Sequence, residues 1–322
     1  MILTRRELLS GLATSAVTPA LAQTTWPNRP VILVVGFPAG GPVDTVSRIL
    51  AEGLSGRFGQ QVLVDNRPGA TGTTAAVQVA RAAPDGHTLL ALPGTFAANA
   101  AMFRKLPYRS LEDFAMISMT TEFPYVLVTY ADHSIRSPSD LINVSRSQST
   151  PLQYGTAGTG SLQHLSMELF ANMAKIKLQH IPYRGGAPAI TDLLGKRIDF
   201  VLDPPTALIE FIRDGRMRAL AVTGPTRFFS LPEVPTVGES AVPGYSVTSW
   251  QGLAAPAGLP AALLSRLNAD VAAVLADTRT ADKLKTLGTA PRPSSPDEFK
   301  SRVASDIETW TKVVEVANIE RI

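Results

Sequence analysis

The stretch VILVVGFPAGGPVDTVSRIL, Val31 to Leu50, decides the fold. Its first five residues form a continuous β-branched and leucine run, which is typical of a strand buried on both faces of a parallel sheet. Beyond the glycines, apolar residues recur at helical spacing until Gly59 interrupts them: Val43, Val46, Leu50, Leu54 and Phe58. We therefore predict a strand, a glycine-rich loop and a helix, in that order.

The same order recurs along the chain. Residues 61–66 and 87–92 are strand-like, and residues 71–83 between them are helix-like. With the opening unit they give a βαβαβ order, which predicts right-handed crossovers and a parallel sheet. From Tyr125 the alternation of strand, loop and helix begins again, and it runs to the strand-like RALAVT that ends at Thr223. This indicates a second α/β unit.

A Pro- and Gly-rich stretch follows, in which residues 245–255 are compatible with one long strand. Three helical patterns close the chain, at residues 260–276, 278–287 and 295–317. We expect the second unit to lie inside the first. Lobe 1 would then comprise residues 23–125 and 246–322, and lobe 2 residues 126–245. Two α/β lobes joined by two crossing segments predict a hinged cleft.

The N-terminus has the features of an export signal. Arg5 and Arg6 precede a modestly apolar run that ends in the small-x-small sequence Ala20-Leu21-Ala22. The string TRRELLS resembles a twin-arginine signal, although an ordinary secretory signal remains the alternative. We therefore expect residues 1–22 to be removed near Ala22 and the mature chain to be periplasmic.

Composition excludes several classes of protein. The chain has 322 residues, 45% of them hydrophobic and 18% charged, which is ordinary for a globular protein. Removing two arginines and one glutamate with the signal lowers the formal net charge from +3 to +2, too little for a nucleic-acid binder. There is no cysteine, and the four histidines are not at metal-ligand spacing. The sequence also has no nucleotide-binding or catalytic motif. We therefore expect that the protein binds no cofactor or metal and is not an enzyme.

Three glycine-rich loops lie between a strand and a helix: FPAGGPVD (37–44), GTAGTGS (155–161) and PYRGGAP (182–188). The unpaired N–H groups and the positive dipole of a helix N-terminus favour an anion there. We expect Gly40 and Gly41 to expose their N–H groups, and the first two loops, on opposite lobes, to hold the two ends of a short dianion.

Other roles remain open for these residues. Each Gly-Gly pair is also compatible with a plain tight turn. Asp44 is either a cap of its helix or a contact for a ligand ammonium or hydroxyl group. Ser161 and His164 could form a hydrolytic pair with an aspartate. The side chains of Phe37, Phe96 and Tyr183 could line one wall for an aromatic ligand, although core packing is the alternative for Phe96.

Many of these segments together resemble one family. FPAGGPVD, VDNRPGATG, QYGTAGTGSLQHL, IPYRGGAPAITDLLGKRID, VPTVGES and PGYSVTSWQGLAAPAG are similar to the Bug family, the periplasmic solute receptors of tripartite tricarboxylate transporters. The resemblance extends from about Trp26 to Ala317. It departs at Pro42-Val43 and at Thr156-Ala157, where other residues are commoner in the family.

The resemblance implies a two-lobed, type II-like periplasmic binding fold, monomeric, that closes around a small carboxylate: a di- or tricarboxylate, an acidic amino acid or an aromatic acid. It implies membrane transporter subunits as partners, with a sensor kinase as the alternative. It also places His164 and Asp203 near the ligand. The predicted ligand-binding residues are Phe37, Pro38, Ala39, Gly40, Gly41, Asp44, Thr95, Thr156, Ala157, Gly158, Thr159, Gly160, Ser161, His164, Tyr183, Gly185 and Asp203.

Overall fold

The computed structural model describes residues 26–322, which form two β-sheets with helices packed against them. The predicted export signal lies outside the described residues. Among those residues, no helix is both long and apolar enough to cross a membrane. The bounds of the two lobes stay a prediction.

The first sheet has six strands: β1 (Val31–Val35), β2 (Val62–Asn66), β3 (Thr88–Pro93), β4 (Phe114–Pro124), β10 (Thr248–Pro256) and β11 (Ala290–Pro291). Their order across the sheet is β11-β4-β10-β3-β1-β2. The second sheet has five strands: β5 (Val126–Tyr130), β6 (Leu152–Thr156), β7 (Leu178–Pro182), β8 (Phe200–Asp203) and β9 (Met217–Val222). Their order is β7-β6-β8-β5-β9.

The parallel pairing predicted from the sequence is confirmed where the alternation of strand and helix is regular. β1 pairs in parallel with β2 and β3, and β6 with β7 and β8. Both sheets are nevertheless mixed. β10 is antiparallel to β3 and β4, and β5 is antiparallel to β8 and β9. These antiparallel strands stand next to the segments where the chain passes between the sheets.

The helices connect these strands. They are α1 (Pro42–Phe58), α2 (Thr73–Ala80), α3 (Thr95–Met102), α4 (Pro138–Ser147), α5 (Leu162–Ala174), α6 (Gly186–Leu194), α7 (Pro205–Arg213), α8 (Val237–Ser240), α9 (Ala261–Ala276), α10 (Thr278–Thr286) and α11 (Pro296–Val316). The start of the predicted helix 71–83 is instead a short 3-10 turn, Ala70–Gly72. Ala70 and Thr71 there have positive φ angles of 43° and 53°, which an α-helix does not allow.

Both faces of the first sheet are covered. Val34 belongs to one buried cluster, which includes Phe96 and Trp250, whereas its neighbours Leu33 and Val35 belong to another beneath α1 and α9. This alternation explains the continuous apolar run at Val31 to Val35, since side chains of successive strand residues point to opposite faces. The carboxyl ends of the parallel strands, where the predicted loops lie, therefore become the rim of a sheet covered on both sides.

Candidate functional site

The predicted loops lie at the carboxyl ends of parallel strands, where open α/β sheets bind ligands. Residues 37–41 connect β1 to α1, residues 157–161 connect β6 to α5, and Asp203 is the last residue of β8. Two contacts join the sheets here. Gly94, just before α3, lies against Leu162, and Gly160 lies against the side chain of Met102. The structure thus brings the loop before α5 next to the loop before α3.

The loop before α1 is closed by Asp44, which is only 2% exposed. Its Oδ2 accepts hydrogen bonds from the Gly40 N–H (2.8 Å) and Arg48 Nε (2.9 Å), and its Oδ1 accepts from Asn66 Nδ2 (2.9 Å). Burial disfavours the charge, but the bonds from Arg48, Gly40 and Asn66 outweigh it and lower the pKa of Asp44 to about 2. Asp44 is therefore an ionised group that shapes the loop.

The expectation that Gly40 and Gly41 expose their N–H groups is wrong for this conformation. Gly40 donates to Asp44, and Gly41 donates to the carbonyl of Pro38 at 3.3 Å. Sequence spacing alone did not show that a side chain four residues on would take the first donor. Within residues 26–322, the N–H groups of residues 37–44 that have no hydrogen-bond partner are those of Phe37 and Ala39 in the loop and of Val43 and Asp44 in the first turn of α1. An anion at this loop would meet those donors.

Replacing Asp44 by Asn should destabilise the protein at neutral pH. The pKa of this carboxyl group is about 2 in the folded protein and 3.8 in the unfolded chain. Above pH 4 the ionised group therefore stabilises the fold by about 2 kcal/mol, and this stabilisation is lost as the pH falls towards 2. Urea unfolding should therefore show the deficit at pH 7 and a smaller one at pH 3. The control is Asp65→Asn, which removes an exposed ion pair with Arg67 and should cost at most about 0.5 kcal/mol. An equal deficit at both pH values would contradict the electrostatic explanation.

The loop before α5 is held by its own helix. The Ser161 hydroxyl caps α5 by accepting from the His164 N–H, and Nδ1 of His164 accepts from the Gly160 N–H at 3.1 Å. His164 thus reaches back to the loop, as its spacing suggested. In the described part of the chain no side-chain hydrogen bond joins the Ser161 hydroxyl to this imidazole, and a serine hydrolase needs that bond. The geometry gives the hydrolytic alternative no support.

A stacked histidine pair lies beneath this loop, and the sequence did not indicate it. The rings of His164 and His180 are 3.8 Å apart and inclined by 14°, and Nε2 of His180 is 2.6 Å from the Thr156 hydroxyl. Burial, together with the neighbouring His180, lowers the pKa of His164 to about 3, and burial lowers that of His180 to about 4. Both rings are therefore neutral near pH 7, and they hold the two ends of the loop without adding charge.

Of the three aromatic residues predicted to line one wall, Phe37 and Phe96 line the same small cavity, and Tyr183 is not among its lining residues. Phe96 is 4% exposed and stacks on Tyr108 in the core, so the alternative of core packing is confirmed for it. The hydroxyl of Tyr183 donates to Asp192 at 2.8 Å. Phe37 lies against Gly72 and, with Thr95, lines a small cavity of about 10 Å³. The hydroxyl oxygen of Thr95 is buried there and has no hydrogen-bond partner within residues 26–322.

Asp203 lies beside the N-termini of α5 and α6. It is 5% exposed, and its Oδ1 accepts from Nε2 of Gln163, in the first turn of α5, at 3.2 Å. It also lies against Gly186, the first residue of α6, where a Cβ would come within 2.0 Å of Oδ2 and only glycine fits. Burial raises the pKa of Asp203 to about 6, although the bond from Gln163 opposes the rise. This carboxyl group therefore changes charge near neutral pH.

A larger cavity, which we call the chamber, lies between the two sheets beside α1 and has a volume of about 220 Å³. Its lining comes from α1 and the preceding loop, the ends of β4 and β10, the start of α7 and the segment after α10. The lining residues are Gly40, Pro42, Thr45, Val46, Phe123, Pro204, Thr206, Gln251, Leu287, Gly288 and Thr289. Of the predicted ligand-binding residues only Gly40 is among them. Most residues of this cavity were therefore not predicted from the sequence.

Comparison with known proteins places the chain among solute receptors. Residues 46–319 match the model of the tripartite tricarboxylate transporter family receptor. A solved structure of the periplasmic binding protein BugD is 32% identical, covering 92% of this chain and 100% of that one, with a TM-score of 0.76. R. palustris Rpa4515 with adipate is 35% identical (92% and 100%, TM-score 0.80), and MatC from Rhodopseudomonas palustris with bound malate is 34% identical (89% and 99%, TM-score 0.75). These likenesses confirm the predicted two-lobed α/β fold.

Proposed function

Because this chain belongs to the tripartite tricarboxylate transporter receptor family, we propose that it captures a small carboxylate between its lobes, in the periplasm, for delivery to the membrane subunits of such a transporter. The observation that supports this most strongly is the arrangement at the chamber. The first turn of α1, with two N–H groups that have no partner among the described residues, opens beside it at Gly40 and Pro42. Neutral N–H donors bind a carboxylate without a fixed countercharge, which suits a receptor that must release its ligand.

The other predicted residues belong to this proposal in three roles. Thr156 to Ser161 would present the first turn of α5 from the opposite lobe. Asp203 would meet the ligand as a proton donor when neutral. Thr95 would use its buried hydroxyl group, which has no partner within residues 26–322. Solved relatives hold adipate and malate, so a carboxylate is the ligand class to test first.

Carboxylate binding should raise the melting temperature. A ligand present at a hundredfold excess over its Kd stabilises the folded state by about 2.7 kcal/mol, which corresponds to a rise on the order of 5 °C. The measurement is a thermal-shift screen of ligand-free protein against di- and tricarboxylates, acidic amino acids and aromatic acids. The control is the corresponding primary amides, which lack the charge. No shift across the panel, on protein with a cooperative unfolding transition, would contradict the proposal.

The membrane partner needs a separate experiment. Immobilised protein, with and without the ligand found in the screen, should retain the transporter's membrane subunits from a detergent extract in a ligand-dependent way. Recovery of a sensor kinase instead would assign the receptor to signalling and leave its ligand unchanged.

A further inference from the structure

The walls of the chamber are mainly apolar. The residues that face it include Val46 from α1, Phe123 at the end of β4 and Leu287 after α10. Two prolines also face it: Pro42, the first residue of α1, and Pro204, the residue before α7. Val46 is 3% exposed, so its side chain is anchored in the core below. A cavity of about 150 Å³ with such walls accommodates a benzene ring. The chamber, at about 220 Å³, has room for a ring and part of a carboxylate.

Three of the four polar side chains of the chamber already donate a hydrogen bond to a backbone carbonyl, and the fourth belongs to Thr206 at the exposed start of α7. The Thr45 hydroxyl donates to the Gly41 carbonyl, the Gln251 amide to the Pro42 carbonyl, and the Thr289 hydroxyl to the Glu122 carbonyl. No lysine, arginine or histidine is among the lining residues. A second carboxylate inside the chamber would lose its water and gain no cation and no donor side chain beyond the Thr206 hydroxyl, which is costly. One anionic group at the rim and an apolar body inside would avoid that cost.

The negative charge nearest the rim, on the Asp44 carboxylate, is already neutralised by its neighbours. Asp44 is ionised, but its two oxygens are engaged by Arg48, Asn66 and the Gly40 N–H. The Arg48 side chain remains about half exposed beside it. The α1 terminus therefore carries a nearly compensated carboxylate, and its Val43 and Asp44 N–H groups remain for the ligand.

We propose that the ligand is an acid with one carboxylate and an apolar body about the size of an aromatic ring, and that this body lies in the chamber. The inference rests on the proposed receptor function and narrows it. It ranks aromatic and cyclic monocarboxylates above short polyacids such as malate, succinate and citrate. Because a hydrophobic pocket distinguishes even one methylene by about tenfold or more, the preference should be at least tenfold in Kd.

The test is calorimetric titration of the ligand-free full protein with benzoate, cyclohexanecarboxylate, hexanoate, adipate, malate and citrate. The key variant is Thr206→Phe, which fills the chamber from an exposed position in the first turn of α7 and so carries little risk to folding. The matched control is Thr191→Phe, at an exposed position on α6 outside the chamber. We expect benzoate-like acids to bind the parent protein, to weaken at least tenfold in Thr206→Phe and to be unchanged in Thr191→Phe.

The possible results separate the two proposals. If malate or citrate binds most tightly and Thr206→Phe leaves that binding unchanged, the inference about the apolar body is overturned while the receptor function stands. Benzoate-like binding that survives in Thr206→Phe would likewise overturn the assignment to the chamber. If none of the acids binds folded protein, the receptor proposal itself fails.

Discussion

Replacing Asp203 by Asn is expected to make the ligand-free protein more stable at pH 8, by about 3 kcal/mol, and to leave its stability unchanged at pH 3. The folded protein holds this carboxyl group at a pKa of about 6, against 3.8 outside the fold, because it is buried with one amide donor. Between those values the folded state binds the extra proton, so its stability falls as the pH rises. The difference between a pKa of about 6 in the folded state and 3.8 outside it corresponds to about 3 kcal/mol.

Urea unfolding at pH 3, 5 and 8 measures this effect. The control is Asp282→Asn, at an exposed position on α10, which should stay within about 0.5 kcal/mol of the parent at every pH. A loss of stability in Asp203→Asn at pH 8 would contradict this expectation. It would mean that the helix N-termini at Gln163 and Gly186 stabilise the ionised carboxylate by more than its burial destabilises it. The expected change in stability has the opposite sign to that for Asp44→Asn. Asp44 accepts three hydrogen bonds, whereas Asp203 accepts only one within the described residues.

Replacing Arg302 by Met is expected to cost about 2–3 kcal/mol. Arg302 of α11 reaches the strands at which the chain leaves and re-enters the first sheet. Its guanidinium group donates to Glu122 at the end of β4 (2.9 Å), to the carbonyl of Thr248 at the start of β10 (3.0 Å) and to Asp306 (3.0 Å). Removing one partner of a buried ion pair leaves uncompensated charge and costs 3–5 kcal/mol. The side chains here are 16–26% exposed, which reduces the loss.

The measurement is the free energy of unfolding in urea, with Lys312→Met as the matched control. Lys312 pairs with Glu308 on the same helix, both side chains being 69% exposed, and its loss should cost no more than about 0.5 kcal/mol. A cost for Arg302→Met as small as that of the control would mean that the network does not tie the two crossing strands together.

Local patterns were sufficient to predict most of the fold. The strand, loop and helix around Val31 to Leu50 follow from residues that are neighbours in the chain, and so do the closing helices. Four elements were missed: the very short α8 and β11, and the longer β4 and α3. β4, with the sequence FAMISMTTEFP, mixes polar and apolar residues without a clear period, and the short alanine-rich α3 lacks a polar face. The position of β10 between β3 and β4 depends on pairing between distant segments, which periodicity does not report.

The site was predictable in location and less so in chemistry. Glycines between a strand and a helix indicated the loops. Which N–H groups remain available depends on Asp44 and on Asn66 from the next strand. The pKa of Asp203 is raised by its burial and lowered in part by a hydrogen bond from Gln163, forty residues away. Phe123 and Leu287 reach the chamber from elements with no sequence signal for binding. Such contacts are set by tertiary packing.

The position of β10 between β3 and β4 also suggests the order in which the two sheets are completed. β3 and β4 follow one another in the chain, yet the strand that fills the gap between them is synthesised only after the whole second sheet. The second sheet, formed from residues 126–222, has all its strands in one continuous segment and meets a smaller loop-closure cost. Until β10 arrives, β3 and β4 each have an unpaired edge, and such edges template aggregation. We therefore expect completion of the first sheet to be the slow step, during which the unpaired edges of β3 and β4 most need protection.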